Sequence, residues 1–316
     1  MSDTLAFLSS VPLFEGIPEA ELAELAQVLR RRDVPAGEIL WREGDEAAAM
    51  LMVVDGQVAV SLRLPGERSV EVAGVGPGEL LGEIPLLDGG RHSASAHVTE
   101  AARLLSLSRA DFAALVSRRH PTAFALKRRI AHVACGRLRR QLANLARSLG
   151  GEPAVAPALP DLEFSRAPDS RYVRRLANFR AFDSLALWGF LTAGRFARCP
   201  PRRTLVAEGA ASPAFYLTIN GAVEKVIVRG GRRIRAGFAG PGQAFGYEGL
   251  IDGGPAPVTA TTRERALLLV LPQAAFERLF NGEQPDSHVF LDVILRDLMG
   301  SLRQALRPHA RLASSL

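Results

Sequence analysis

Cysteine is scarce in this chain of 316 residues, with Cys135 and Cys199 the only two. Two thiols cannot build a disulfide framework, and neither stands in a cluster with metal-ligand spacing. Both read as plain buried thiols of a reducing compartment. The six histidines, at 92, 97, 120, 132, 288 and 309, are scattered. His120 stands before Pro121 at a helix junction and His132 on a long helix, which are structural places. Nucleophile elbows, metal-spaced His or Cys pairs and NTPase-type phosphate loops are all missing, so no enzyme, no cofactor and no metal is expected. No run of roughly eighteen apolar residues occurs, which excludes a membrane span. The opening Met1-Ser2-Asp3-Thr4 has no basic region leading into an apolar core, so no signal peptide is read and the cytoplasm is the expected location.

What is present is an ordinary globular balance of 47% hydrophobic and 23% charged residues, over a length suited to about two domains. The net charge of +6 invites a nucleic-acid reading, but its distribution argues against one. Residues 1–150 hold 18 basic and 18 acidic side chains, and residues 151–316 hold 21 and 15. Lysine occurs only at Lys127 and Lys225, and arginine dominance beside abundant Ala and Gly fits a GC-rich coding sequence. Nucleic acid is therefore not an expected partner.

An internal repeat organises the chain. Pro35-Ala-Gly-Glu-Ile-Leu-Trp-Arg-Glu-Gly44 matches Pro200-Pro-Arg-Arg-Thr-Leu-Val-Ala-Glu-Gly209 at an offset of 165, and Gly56 falls on Gly221. After a slip of one residue, Pro77-Gly78 meets Pro241-Gly242, Gly82 meets Gly246 and Asp88-Gly-Gly90 meets Asp252-Gly-Gly254. Three segments are expected: a domain at 1–150 with a long C-terminal helix, a Pro/Ala-rich linker at 151–174, and a second domain at 175–316.

Within a copy the order reads helix, strands, short helix, strands, long helix, an α+β class. Leu22, Leu25, Ala26 and Leu29 recur at helical spacing behind Pro18. Residues 38–108 break into short apolar runs between Gly, Pro and Asp, the pattern of a strand-rich barrel. Met50–Val54 and Val58–Leu62 flank Asp55-Gly56, which reads as a hairpin turn. Ser108 with Asp111 forms a helix-capping arrangement. Leu126, Ile130, Val133, Leu138, Leu142 and Leu145 make a long apolar stripe, and Leu291, Ile294, Leu298, Leu302 and Leu306 make another. Such stripes either pack on their own barrel or pair two chains into a homodimer.

The stretch Gly76-Pro-Gly-Glu-Leu-Leu-Gly-Glu-Ile-Pro-Leu-Leu-Asp-Gly-Gly-Arg-His-Ser-Ala-Ser95 resembles the phosphate-binding cassette of the cyclic-nucleotide-binding domain family. Val11-Pro-Leu-Phe-Glu-Gly16 and Arg42-Glu-Gly-Asp45 resemble it too. That family includes the sensor of the bacterial catabolite activator protein and the regulatory subunits of cAMP-dependent protein kinase. The resemblance implies two jelly-roll β-barrels, each with an inserted helix and helices at both ends. It also implies a cyclic nucleotide such as cAMP as ligand, held by Gly82, Glu83, Ile84, Arg91, His92, Ser93, Ala94 and Ser95. A compact anion needs backbone N–H groups, a helix N-terminus and a positive charge. Glu83 matches the residue that holds the ribose hydroxyl. The phosphate-pairing position falls on His92, with Arg91 just before it, so either could meet the phosphate.

The second cassette departs further. Gly246 is kept, but Tyr247 stands in the place of Glu83 with Glu248 adjacent, and Ala256 in the place of His92. Pro257 has no N–H to offer, while Thr259 matches Ser95. This pocket is not expected to bind a nucleotide. The leading expectation is a non-enzymatic bacterial regulatory protein of signal transduction, whose first domain senses a cyclic nucleotide and whose second passes the signal to an effector protein. One alternative is a dimeric scaffold with two vestigial pockets. Another is a transcription regulator, against which the long final helix leaves no room for a DNA-reading helix.

Overall fold

A computed structural model describes the chain except for residues 1, 65–67, 119, 154–161, 169–172, 177–178, 180–182, 283 and 314–316. It forms two compact units: Met1–Val133 with Leu306–Leu316, and Ala134–Ala305. The sequence repeat puts its boundary near residue 150; contacts divide the chain earlier, within a long helix at Pro121–Leu149 (α5). Pro121 opens that helix, a first-turn position where its missing N–H costs nothing.

The first unit begins with helices Ser2–Ser10 (α1) and Glu19–Val28 (α2). Glu19 and Glu21 lie in the first turn of α2, where the helix dipole favours acid, and Leu22, Leu25 and Ala26 are buried. Six antiparallel strands follow: Arg30–Val34 (β1), Ile39–Trp41 (β2), Ala49–Arg63 (β3), Ser69–Val75 (β4), Leu80–Leu81 (β5) and Ser95–Ser108 (β6). They run in the order β1-β6-β3-β4, with β2 on β6 and β5 on β3. Val53, Val58, Val75, Leu81, Val98 and Leu104 fill the space enclosed. Helix Glu83–Asp88 (α3) sits between β5 and β6, and Arg109–Ser117 (α4) follows β6. Ser108 caps α4, accepting a hydrogen bond from the Asp111 amide at 3.0 Å as its sequence arrangement predicts. His120 pairs with Glu24 at 2.9 Å, a structural role.

The second unit has one sheet in the order β13-β10-β15-β8-β7 and another in the order β12-β11-β14-β9, all antiparallel. Its strands are Glu163–Ser165 (β7), Arg195–Cys199 (β8), Thr204–Val206 (β9), Ala214–Asn220 (β10), Val223–Arg229 (β11), Arg232–Ala239 (β12), Ala244–Phe245 (β13), Thr259–Thr262 (β14) and Ala266–Pro272 (β15). Its further helices are Ser184–Thr192 (α6), Glu248–Asp252 (α7), Gln273–Asn281 (α8) and Pro285–Ala313 (α9). Phe190, Phe215, Phe276 and Phe290 form a contiguous aromatic core, with Phe215 edge-on to Phe290 at 5.1 Å. Both units thus carry the expected antiparallel strands, inserted helix and flanking helices.

Two readings of the sequence change. Asp55-Gly56 is not a hairpin turn, because β3 runs straight through it and its pairing with β6 shifts register there. Gly56 holds φ 85°, and a Cβ on it would strike the Ala101 carbonyl. Gly221 repeats this at φ 86° against the Arg265 carbonyl, where the chain leaves β10 in one sheet for β11 in the other. The dipeptide therefore marks a strand bulge and sheet-to-sheet corner, for which only glycine has room. Part of the expected linker is structured, since β7 pairs with β8; residues 154–161 lie outside the described residues. Most of the apolar stripe residues are buried within the chain itself, and Val133 is half-buried. Leu126, Ile130, Leu138, Leu142 and Leu145 are all at most 4% exposed, and Leu291, Ile294, Leu298 and Leu302 are fully buried. The side chain of Leu306 lies outside the described residues. Among the described residues, no helix is long and apolar enough to cross a membrane, and no side-chain cluster could hold a metal ion.

Candidate ligand cassettes

In the first unit β5 delivers the chain to Gly82, which adopts a left-handed conformation (φ 76°) and starts α3. Glu83 is the first residue of that helix and only 1% exposed; Ile84 beside it is half-buried. The helix closes at Gly89, also left-handed, whose amide bonds Pro85 O at 3.1 Å, and the Asp88 carboxylate accepts the Gly90 amide at 2.8 Å. Asp88-Gly-Gly90 is therefore a tight turn, as its composition predicts.

Beyond the turn, the two cationic candidates part company. Arg91 points outward, donating to Gly44 O at 2.9 Å and to the Glu46 carboxylate at 3.0 Å. His92 turns inward and is buried, its ring stacked on the indole of Trp41. Its backbone is clasped twice: His92 N donates to Asp45 O at 2.9 Å, and Gly44 N donates to His92 O at 2.8 Å. Trp41 Nε1 donates to Ala94 O at 3.0 Å, and the Ser95 hydroxyl accepts from the Glu43 amide at 2.9 Å. Ser93 is half-buried. A Cβ on Gly82 would lie 3.3 Å from the Trp41 ring and 3.5 Å from His92, so the glycine, the indole and the imidazole share one small space. The structure thus brings Gly82 and His92 together, and leaves Arg91 on the rim.

The second unit reproduces the backbone of this site and replaces its side chains. Gly246 is left-handed at φ 76°, and a Cβ on it would meet Val206, Tyr216 and Ala214 O; Val206 stands where Trp41 does. Ala256 N donates to Ala210 O at 2.8 Å and Gly209 N to Ala256 O at 2.9 Å, the same double clasp. Thr259 accepts from the Glu208 amide at 3.1 Å, as Ser95 does from Glu43. These matched bonds fix the alignment of the copies independently of sequence.

A profile of the cyclic nucleotide-binding domain matches residues 31–119 and 197–283, one stretch in each copy. The chain belongs to the cyclic nucleotide-binding domain family. A cyclic nucleotide-gated potassium channel of Mesorhizobium japonicum is 38% identical over 110 residues, which are 35% of this chain and 29% of the channel. The cyclic AMP receptor protein of Thermus thermophilus is 38% identical over 107 residues, 34% of this chain and 50% of that protein. A CRP-like cAMP-activated global transcriptional regulator of Mycobacterium tuberculosis is 27% identical over 139 residues, 44% of this chain and 60% of the regulator. The chain therefore spans between 29% and 60% of these relatives.

The second copy has an interior that sequence reading missed. Tyr247, fully buried in the place of Glu83, donates to the Asp297 carboxylate of α9 at 2.6 Å. The other oxygen of Asp297 accepts the Ala244 amide at 3.0 Å. Lys225 of β11, only 6% exposed, donates to Ser301 of the same helix at 2.9 Å. Burial pushes the carboxyls of Glu248 and Asp297 above the usual carboxylate range, and the Lys225 charge pulls both back down. Burial, with Asp297 next, raises the Tyr247 phenol well above its ordinary value, so it stays a hydrogen-bond donor. Signals for this network were in the sequence: one of only two lysines stands in an apolar strand, and Asp297 interrupts an apolar helical stripe. Trp41, one of two tryptophans, was likewise visible but unassigned.

Proposed function

We propose that the first copy senses a cyclic nucleotide, cAMP foremost, and that the second carries the outcome to a partner protein. The contrast at one position carries this reading. Glu83, a carboxylate behind a left-handed glycine, opens the inserted helix of the first cassette, whereas the second puts a phenol, Tyr247, in the same place. Ligand binding in the first copy would act by shifting an existing balance of conformations, in proportion to its preference for one of them. The relatives named for cyclic AMP and cyclic nucleotide gating support the ligand class.

A second reading, a scaffold whose two pockets bind nothing, is favoured by one observation. Trp41 and His92 crowd the space beside Gly82, where a ligand's phosphate would be sought. Calorimetric titration of the whole chain with cAMP at pH 6 and pH 8 separates the two. One site per chain, lost in Glu83→Ala, supports the sensor. Weaker binding at pH 8 that disappears in His92→Ala makes the imidazolium the phosphate partner, and a pH-independent affinity lost in Arg91→Ala makes it Arg91. No heat with cAMP, cGMP or cyclic dinucleotides supports the scaffold.

A further inference from the structure

The second cassette is gripped from two directions by helices of its own chain. On one side stands α5. The Arg139 guanidinium meets both oxygens of Asp252, with Nη2–Oδ1 at 2.7 Å, and also donates to Pro255 O. Cys135, one turn earlier, approaches Asp252 Oδ2 at 3.3 Å and Glu248 O at 3.5 Å. Gly254 completes the seat, since a Cβ there would lie 2.9 Å from the Arg139 guanidinium carbon. All of these groups belong to the unit Ala134–Ala305.

On the other side stands α9. Asp297 takes the Ala244 amide and the Tyr247 hydroxyl, and Ser301 takes the Lys225 ammonium. Gln304 of the same helix fills the room left by the missing side chain of Gly237. Lys225 stands at the repeat position of Val60, which in the first copy packs, with Val70 and Val72, against Leu62 and Ala94. The second copy therefore has a buried cation, Lys225, where the first has Val60, and a phenol, Tyr247, bonded to a helix carboxylate where the first has Glu83. The Lys225 ammonium, bonded to Ser301 and acting electrostatically on the carboxyls of Glu248 and Asp297, is a compensated charge rather than a vacancy awaiting one.

We propose that the second cassette is a helix-holding site, whose ligands are α5 through Arg139 and α9 through Asp297 and Ser301, in place of a nucleotide. This goes beyond the assignment of nucleotide sensing to the first copy and does not depend on it, because it concerns the chain without ligand. Guanidinium against carboxylate is a bidentate, planar recognition. The turn Asp252-Gly-Gly254 that the family fold provides thereby reads an arginine.

Hydrogen exchange of the ligand-free full chain, followed by mass spectrometry over residues 244–257, tests this. Arg139→Asp and Asp297→Ala are each expected to speed exchange there by about tenfold, leaving residues 82–95 unchanged. Arg140→Met, at an exposed neighbouring position on α5, is expected to change neither region. Adding Asp252→Arg to Arg139→Asp reverses the pair and is expected to restore protection, which a variant that merely misfolds would not do. Unchanged exchange over 244–257 in both single variants would overturn the proposal. So would saturable protection of 244–257 by cAMP in a Glu83→Ala chain, since a nucleotide would then be the ligand of this cassette.

Discussion

Trp41 lies flat against His92, with ring centroids 4.1 Å apart and planes 13° from parallel. The stack fixes the imidazole in the position where the family resemblance places a phosphate-pairing arginine. A guanidinium stacks on an indole face at least as well as an imidazole does, and it adds a permanent charge with a two-pronged donor. His92→Arg is therefore expected to bind cAMP about tenfold more tightly than the natural chain, a gain of about 1.4 kcal/mol. Its affinity should be equal at pH 6 and pH 8. Calorimetry at the two pH values decides it, and an unaltered affinity would remove position 92 from the phosphate site.

The Arg139–Asp252 pair should leave its mark in acid. Burial would raise the Asp252 carboxyl, but hydrogen bonds from Arg139 and the Gly254 amide outweigh it and hold the group below its ordinary value. A carboxylate depressed in the folded state contributes stability above its unfolded value, near 3.9, and loses that contribution as pH falls through the folded one. Arg139→Met should therefore melt earlier than the natural chain at pH 6, by roughly 1–2 kcal/mol for this partly exposed pair, with the gap closing toward pH 2. Thermal melts across that range test it; a gap that persists in acid would mean lost packing instead.

Lys225→Met has the opposite pH signature. Glu248 and Asp297 are already raised by burial, and Lys225 is the charge that opposes the rise. Without it both carboxyls favour the protonated form more strongly in the folded state. Folding then binds protons, so stability falls as pH climbs from about 4 through the raised folded values. The variant should be destabilised by about 3–5 kcal/mol at pH 7 and much less near pH 4. Denaturant titrations at the two pH values give the comparison, and an equal loss at both would exclude carboxyl titration as its cause.

Gly56→Ala and Gly221→Ala should be costly in both copies for the same reason. Each places a Cβ at positive φ and against a backbone carbonyl, that of Ala101 in β6 or of Arg265 just before β15. The left-handed conformation alone costs about 1–2 kcal/mol, and the collision adds to it. Gly37→Ala, left-handed at φ 87° but with open space around it, should show only the conformational part. Thermal shifts that rank Gly37→Ala as the worst of the three would refute this account.

The cassettes were readable because their requirements are local. Gly82 before Glu83, Asp88-Gly-Gly90 and the small residues at 93–95 each express a backbone need within a few positions, as does the Ser108 cap. Asp55-Gly56 was misread for the same reason: its local signature is a turn, and the strand opposite decides that it becomes a bulge. The interior of the second copy was illegible because its partners are remote. Lys225 and Ser301 are 76 residues apart, and Arg139 and Asp252 are 113 apart. Periodicity announces a buried position, but the group that satisfies it comes from tertiary structure. The stripes on α5 and α9 show the converse, since their periodicity requires a cover without saying whether it is their own barrel or a second chain.

The double backbone clasp at His92 and at Ala256 makes no use of either side chain. A rim held by main-chain bonds keeps its shape whatever residue occupies it, so the lining of either pocket can vary without unpicking the frame. Recognition in this chain is thus an interchangeable lining on a fixed mould. The positions at which the lining of the second pocket differs from the first include Lys225, Tyr247, Ala256 and Pro257, while the clasping backbone bonds are the same.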